Sequence, residues 1–483
     1  MNIQDHCFDF LGGVNKRHSS GDAEIDAFLQ DISTHIDYAF QPIVTINTGK
    51  CHGYEALLRG SEELGFKSIR ALFDYAFEKG VLHCVDTFLR ATAIEKFSRL
   101  ENGSGAVLFF NLDNRILDSE DYQAGNTLQL LSSHGLTPTS ICFEISEADD
   151  VLRNDRTMRT LENYRDQSFP LAIDDFGTGY SGLQLLYQCQ PSYLKIDRFF
   201  ISGIPEDGKK RLFVSRLVEL AHVLSIVVVA EGVETEKEFL TCKEVGCDLV
   251  QGFFVSKPVL DIEVLTPSYE KVEILSRNDR RARKANSQLL GEGWERIDPI
   301  LLDAPMSSLF NSFMVNKSLS FLPVVDNAGR PVGIVRDKDI KNYAYSPFGR
   351  DLIRNAAYKK SLSDFVTKCP MADIRMTTEK ILELFALYGN PEGIFITDDF
   401  KYVAFLQAGA LLRMVNEKNL TQARDQNPLT KLPGNNAING YVTDAVDDIV
   451  SSWSFISIST TSSPSTTPTG FARATAPSFC SPN

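Results

Sequence analysis

The chain lacks the patterns that indicate a zinc site, a disulfide framework or a membrane span. Its nine cysteines include no C-x-x-C pair, and its seven histidines show no metal-ligand spacing. Any metal site would therefore use oxygen ligands, which hard cations prefer. The longest strongly apolar stretches, such as residues 226–230, fall far short of the ~18 residues that cross a bilayer. We expect reduced thiols, no membrane span and a cytoplasmic location.

An excess of positive charge is also missing, because the formal net charge is −14. An acidic surface repels polyanions, so we expect no nucleic-acid polymer as a partner. The densest basic run is residues 277–284, which we interpret as a solvated linker or helix face. The hydrophobic content of 43% is ordinary for a globular protein, and 483 residues suffice for two to four domains.

Strand-like runs alternate with helical stretches through the first half of the chain. The runs are residues 38–46, 53–59, 106–112, 141–145, 171–174, 193–196, 227–230 and 249–253. Eight such strands with intervening helices predict an α/β fold, a (β/α)8 TIM-like barrel. Only residues 47–52 join the first two runs, a connection suited to a hairpin, so we expect a modified barrel with one antiparallel strand.

A smaller α/β pattern follows the barrel. Residues 263–300 are charged and helical in character and predict a connector. Residues 318–340 and 392–415 then repeat a strand–turn–strand–helix layout about 73 residues apart, which suggests an internal duplication within 301–418. Residues 451–483 are rich in Ser, Thr and Pro, with Arg473 their one charged side chain, and predict a disordered tail.

Polar and charged residues close the successive strands. In such a barrel the carboxyl ends of the strands share one rim, where active sites form. Five or more carboxylates gathered there would repel each other, and two divalent cations would neutralise them. Oxygen ligands suit Mg²⁺ or Mn²⁺. The residues expected on or near this rim are Glu55, Asn111, Glu144, Asp174, Asp175, Lys195, Glu231 and Gln251.

A metal pair at this rim would suit phosphodiester hydrolysis, because it activates water and stabilises the leaving oxygen. Lys195 could orient that water or offset developing charge, and Glu231 could accept a proton or hold the second metal. Arg59 could clamp a phosphate. Each motif also has an ordinary interpretation, such as a surface acid at Glu55 or a strand-to-helix turn with an aspartate cap at Asp174 and Asp175. All the motifs fall at equivalent strand ends, which favours the shared site.

Residues 25–262 resemble an EAL domain, the cyclic di-GMP phosphodiesterase family. The motifs QPIV, EALLR, ExxE, DDFGTGYS, LKID, AEGVET and QGF occur in the family's order and spacing. The resemblance implies two Mg²⁺ or Mn²⁺ ions and hydrolysis of cyclic di-GMP to linear pGpG. It also implies a homodimer, through the loop that Glu147 would brace. Gly60 departs from the family, in which tryptophan often follows the arginine.

The resemblance implies a role for each matching side chain. The implied metal ligands are Glu55, Asn111, Glu144, Asp174, Asp175 and Glu231. The implied catalytic residues are Lys195, Glu231 and Glu55. The implied substrate contacts are Gln41, Arg59 and Gln251, and the supporting residues are Glu147, Asp197 and Glu234. Two alternatives stay open: a non-catalytic cyclic di-GMP receptor, and a barrel metalloenzyme that acts on another phosphate ester.

Residues 301–418 resemble a pair of CBS modules, which often bind adenine nucleotides. The first repeat keeps Asp339, but Arg336 replaces the usual hydroxyl residue, and the second repeat lacks the aspartate. These departures favour a regulatory or dimerising role over adenine-nucleotide binding. Residues 419–450 resemble the opening of a GGDEF domain, with no GGDEF signature after them. We hypothesise a frameshift near residue 454, with a natural disordered tail as the alternative.

Overall fold

The computed structural model describes most of the chain up to residue 416. The described residues are 23–100, 105–118, 126–147, 155–179, 182–278, 294–316, 319–344, 361–376, 378–388, 392–413 and 416. The predicted GGDEF remnant (419–450) and the predicted tail (451–483) lie outside them. None of the described helices combines the length and the apolar composition that crossing a membrane requires.

Eight strands close into a barrel, which confirms the predicted architecture. They are β1 (Asp37–Thr45), β2 (Cys51–Arg59), β3 (Val107–Leu112), β4 (Ile141–Ser146), β5 (Leu171–Phe176), β6 (Tyr193–Ile196), β7 (Val227–Ala230) and β8 (Leu249–Val250). Strand β1 runs antiparallel to both β2 and β8, and the other neighbours are parallel. The short connection after β1 therefore forms the expected hairpin.

Helices precede β1 and lie between or after the strands. They are α1 (Ala23–His35), α2 (Ile69–Glu78), α3 (Leu82–Ser98), α4 (Asn126–Ser133), α5 (Asp155–Asp166), α6 (Gly182–Cys189), α7 (Arg198–Ile201), α8 (Gly208–Val223), α9 (Glu236–Val245) and α10 (Glu270–Asn278). Their ends carry the local signals expected of helices. Thr235 and Glu238 form a capping box before α9, and Gly246 ends that helix in the left-handed conformation.

An apolar layer fills the interior of the barrel below its mouth. Its buried residues are Ile43, Val107, Phe109, Cys142, Ala172, Tyr193, Val229 and Leu249. Side chains two apart on a strand point to the same face, so the residue two positions later also faces inward. On β5 and β6 this places Asp174 above Ala172 and Lys195 above Tyr193. The two-residue period of the strands thus places a ring of polar side chains directly above the apolar layer.

A second region, residues 294–413, contains two small sheets of similar layout. In one, β10 (Ile300–Leu301) pairs parallel with β11 (Phe321–Val325), which pairs antiparallel with β12 (Pro331–Arg336). In the other, β13 (Met371–Asp373) pairs parallel with β14 (Gly393–Asp398), which pairs antiparallel with β15 (Lys401–Gln407). This shared order is what an internal duplication predicts. Helices in this region include α11 (Met306–Val315), α12 (Asp337–Ala344) and α13 (Thr378–Tyr388).

The segment predicted as a helical connector contains strands as well as a helix. Helix α10 lies within it, but β9 (Trp294–Glu295) pairs with the edge of β15, and β10 pairs with β11. Main-chain hydrogen bonding to exposed sheet edges fixes these short strands, whatever their side-chain pattern. The second region therefore begins before residue 301.

The second region contacts the end of the barrel opposite the carboxyl ends of its strands. The Lys50 ammonium is 2.7 Å from the Asp399 carboxylate. At the start of β2, His52 Nε2 lies 2.9 Å from the Tyr193 hydroxyl, and its ring packs on Phe400. Burial, with the nearby Arg330 guanidinium, lowers the pKa of His52 to about 3. His52 is therefore neutral in the folded protein at neutral pH.

A neutral His52 predicts that acid destabilises the fold. The unfolded chain binds a proton at this ring near pH 6.5, whereas the folded chain does so near pH 3. The contribution of neutral His52 to the free energy of unfolding is therefore complete above pH 6.5. It is lost as the pH falls below 6.5, by about 1.4 kcal/mol per pH unit. Denaturant unfolding of His52→Gln should show a correspondingly smaller loss between about pH 6.5 and 5. The exposed His35→Gln serves as control, and equal pH profiles for wild type and His52→Gln would contradict the assignment.

Candidate metal and catalytic site

Lys195 is the centre of a carboxylate cluster at the carboxyl-end mouth of the barrel. Its side chain is 1% exposed, and its ammonium approaches four carboxylates. The distances from Nζ are 2.6 Å to Glu144, 2.8 Å to Glu231, 2.9 Å to Asp174 and 3.3 Å to Glu55. We call Glu55, Glu144, Asp174, Asp175 and Glu231 the carboxylate cluster. Its members come from β2, β4, β5 and the end of β7, as the strand-end pattern predicts.

Burial and mutual repulsion control the charge in this cluster. Burial, together with the neighbouring carboxylates, raises the pKa of Glu144 and of Glu231 well above their usual range. Burial and the adjacent Asp174 raise the pKa of Asp175 to about 6. Burial opposes a charge on Lys195, but the surrounding carboxylates outweigh it and raise the pKa of the ammonium. Lys195 therefore stays protonated.

A local irregularity in β5 directs two successive carboxylates to the same place. Alternation on a regular strand would send Asp174 and Asp175 to opposite faces. Asp175 instead adopts a left-handed conformation with φ of 52°, and the register with β6 shifts after Ile173. Aspartate tolerates this conformation better than most residues. Oxygens of Asp174, Asp175 and Glu231 consequently lie within 4.8 Å of one another.

The cluster offers two groups of metal ligands that share one residue. Glu55, Glu144 and Asp174 form one group, and Asp174, Asp175 and Glu231 form the other. Both Glu144 oxygens and Asp174 Oδ1 are buried and receive no well-oriented hydrogen bond from the described residues, although Lys195 lies close. Five carboxylates against one lysine leave a charge of −4 when all are ionised, which two divalent cations would balance. The donor set thus fits oxygen-binding divalent cations.

Three amide side chains surround Glu55. Asn111 donates to Glu55 Oε1 at 3.1 Å, and Gln251 donates to Glu55 Oε2 at 2.6 Å. Gln251 also lies 3.1 Å from Gln41, which faces Glu55 across the β1–β2 pair. The Ser256 carbonyl accepts a hydrogen bond from Gln41. No sequence motif pointed to Ser256, because its contribution is a main-chain oxygen.

Arg59, Asp197 and Glu234 are predicted site residues whose hydrogen-bond or ion-pair partners lie outside the carboxylate cluster. Arg59 shares the inward face of β2 with Glu55 but donates to the neighbouring Leu58 carbonyl. Asp197 caps the short helix α7 by accepting from the Phe199 amide. Glu234 pairs with Arg198 at 2.8 Å, and both side chains are exposed. Asp197 and Glu234 therefore support the loops beside the mouth and have no contact with the Lys195 ammonium.

Glu147 holds the loop between β5 and α6 at both ends. Its carboxylate accepts from the Gly177 amide at 2.5 Å and from the Gly182 amide at 2.8 Å. A Cβ added at Gly182 would meet Glu147 Oε1 at 2.5 Å, so glycine is needed for this close approach. One carboxylate thus contacts the first residue of this loop and the first residue of α6.

The departure at Gly60 has a steric explanation. The residue has a φ of 96°, and an added Cβ would lie 2.1 Å from the His35 carbonyl oxygen. A side chain here would clash with the end of α1 and adopt a strained backbone conformation. The backbone in this chain therefore leaves no room for a tryptophan at position 60.

Comparison with known proteins identifies the barrel. Residues 25–258 match the EAL domain family. The barrel is an EAL domain. Residues 299–346 match the CBS domain family, so the first repeat of the second region is a CBS domain. The EAL domain thus covers the barrel and the carboxylate cluster.

The relatives share this part of the chain. An uncharacterized protein of Azorhizobium caulinodans is 30% identical over 263 residues, 52% of this chain and 36% of the relative. MucR of Pseudomonas aeruginosa, named a bifunctional diguanylate cyclase/cyclic di-GMP phosphodiesterase, is 31% identical over 46% of this chain and 32% of its own length. A solved structure, PaMucR phosphodiesterase in complex with c-di-GMP, is 28% identical, with a TM-score of 0.43, covering 48% of this chain and 100% of that one. The chain thus spans about a third of the length of these two curated relatives.

Removing the Glu147 carboxylate should loosen the β5–α6 loop. Glu147→Ala deletes two charge-assisted hydrogen bonds, so the free energy of unfolding should fall by about 3 kcal/mol. Amide exchange at Gly177 and Gly182 should become faster. The control is Glu234→Ala, which breaks an exposed pair and should cost less than about 1 kcal/mol. Equal losses in the two variants would contradict the bracing role.

Proposed function

We propose that this protein hydrolyses cyclic di-GMP to linear pGpG in a metal-dependent reaction. The observation that carries this proposal is the gathering of the carboxylate cluster around Lys195 at one barrel mouth. Support also comes from MucR, whose name includes cyclic di-GMP phosphodiesterase and which is 31% identical in this part of the chain. All acids expected of the active family are present.

The proposed ligands of two ions, Mg²⁺ or Mn²⁺, are the carboxylate cluster with Asn111, and Asp174 belongs to both groups. When bound, the ions would supply a nucleophile from water and stabilise the leaving oxygen of the phosphodiester. The cluster itself holds them because its like charges are buried and lack sufficient cations of their own. Lys195 is the cation that the chain supplies there.

Lys195 and Glu231 perform the proton and charge chemistry in this proposal. The Lys195 ammonium stays charged, so it donates hydrogen bonds to the attacking water or to the developing negative charge on the phosphate. The Glu231 carboxylate, 2.8 Å from that ammonium, has a raised pKa and accepts the proton of the water. Glu55 is held by amides on both oxygens, which fixes its orientation as a ligand.

Three side chains hold the substrate in this proposal. Gln41 and Gln251 lie beside Glu55 and offer amide groups to the guanine or ribose portions of the dinucleotide. Arg59 lies further along the inward face of β2, and its guanidinium suits a phosphate. This positive charge helps an acidic protein accept a small anionic substrate.

The remaining proposals concern assembly and regulation. We propose a homodimer, supported by the exposed Leu183 and Tyr187 on α6, directly after the loop that Glu147 braces. We assign the second region a regulatory or dimerising role. Arg336 is 2.9 Å from Glu392, so the position expected to bind an adenine nucleotide carries an ion pair between the two repeats. We place the protein in the cytoplasm.

Glu55→Ala should abolish turnover of cyclic di-GMP. The change deletes a carboxylate that two amides orient beside Lys195, and with it one of the proposed metal ligands. Chromatography after incubation with Mg²⁺ or Mn²⁺ should show pGpG from the wild type and a loss of at least about a hundredfold in the variant. As a control, Glu62→Ala removes a nearby exposed glutamate and should keep wild-type activity.

The same assay separates the alternatives. Undiminished pGpG release by Glu55→Ala would contradict the proposed metal ligands. Recovery of intact cyclic di-GMP alone from the metal-loaded wild type would favour a non-catalytic receptor. Faster hydrolysis of another phosphate ester in a substrate panel would favour the third interpretation, a barrel metalloenzyme of different specificity.

A further inference from the structure

A cavity lies at the other end of the barrel from the carboxylate cluster. Its volume is about 460 Å³, and it lies between the barrel and the second region, partly open to solvent. Ser168, Gln190 and Ser225, which lie shortly before strands β5, β6 and β7, line the barrel side. Small-molecule sites in proteins have volumes of about 300–1,000 Å³, so this space could hold a metabolite.

Cations from both sides face this cavity. Arg165 comes from the end of α5 in the barrel, and Lys368 comes from the segment before β13 in the second region. Among the described residues, no carboxylate oxygen lies within ion-pair distance of either cation. Lys368 instead donates weakly to the Gln190 carbonyl at 3.4 Å. Burial and the positive charge of the exposed Arg165 lower the pKa of Lys368 to about 8.

A third cation, Arg330, is held in place in the cavity wall. Arg330 is fixed by Asp326 at 2.7 Å and by the Thr139 carbonyl at 3.2 Å. Its guanidinium also interacts with the Tyr193 hydroxyl, and its Nη1 is enclosed by protein. Arg330 therefore adds a fixed positive charge to the cavity wall.

The carboxylates on the cavity wall leave this positive charge in place. Asp326 is engaged by Arg330, and Asp364 accepts a hydrogen bond from the Ser361 amide at 2.8 Å. Asp166, the last residue of α5, is exposed. The electrostatic effect that acts on Lys368 comes from Arg165. A dianion would therefore meet favourable charge at the Arg165–Lys368 side.

Apolar side chains form much of the remaining wall. They include Phe169 and Pro170 from the barrel and Pro331, Val332 and Val366 from the second region. An inorganic ion alone would leave these surfaces unused, whereas a ligand with an apolar or aromatic body would bury them.

We propose that this cavity binds a small organic phosphate, with the phosphate at Arg165 and Lys368 and the body against the apolar wall. Guanidinium and ammonium groups are the usual partners of phosphate in proteins. The ligand would contact the EAL domain and the second region together, so its binding would stabilise their contact. This site is separate from the substrate site at the barrel mouth, and the proposal does not depend on the phosphodiesterase activity.

Calorimetric titration of the metal-free full chain with phenyl phosphate tests the proposal. Without metals the carboxylate cluster repels anions, so binding at the barrel mouth is suppressed. Phenyl phosphate should bind once per chain and more tightly than inorganic phosphate. Arg165→Gln and Lys368→Gln should each weaken binding by about tenfold or more, because each removes a charged donor.

Matched controls lie nearby. Arg159→Gln changes an exposed arginine on the same helix as Arg165, and Lys401→Gln changes an exposed lysine of the second region. Both should bind phenyl phosphate like the wild type. Thermal unfolding should be measured for all four variants to check that each is folded. Absence of saturable binding below about 10 mM would overturn the proposal. Wild-type affinity in Arg165→Gln and Lys368→Gln, or equal affinity for inorganic phosphate, would overturn it as well.

Discussion

The repulsion among buried carboxylates at the barrel mouth is the constraint on which the site depends. Seven of the eight strands deliver an acid or an amide to the same small volume, and β6 delivers Lys195, which neutralises one charge there. Ionised groups removed from water are costly unless opposite charges and hydrogen bonds compensate. The negative charge that Lys195 leaves uncompensated is what the proposed divalent cations would balance, and the proposed hydrolysis depends on those cations.

The barrel and its ring of polar residues were predictable because strand periodicity determines both. Phe109 and Asn111 are two residues apart on one strand, and so are Cys142 and Glu144 on the next. Each polar side chain therefore lies on the same face of its strand as a residue of the apolar layer. The turn at Asp175 was less accessible. Two adjacent aspartates suggested two metals, but the left-handed backbone that brings them together depends on the register shift against β6.

Other features lay beyond the sequence because main-chain and long-range contacts produce them. Strands β9 and β10 are two residues each and are defined by pairing with β15 and β11. The hydrogen bond from Arg330 to the Thr139 carbonyl, just before β4, joins residues that are nearly two hundred positions apart in the sequence. The family motif likewise did not explain why residue 60 is glycine. The reason is the His35 carbonyl oxygen, which leaves no space for a side chain there.

Counting bound metal ions tests the central claim most directly. Equilibrium dialysis of the full chain against Mn²⁺ should give two ions per EAL domain, because the two ligand groups share Asp174. Glu144→Gln should reduce that number or weaken binding, since Glu144 contributes buried oxygens without well-oriented donors. A wild-type protein that binds no Mn²⁺, or one whose binding is unchanged by Glu144→Gln, would contradict the account.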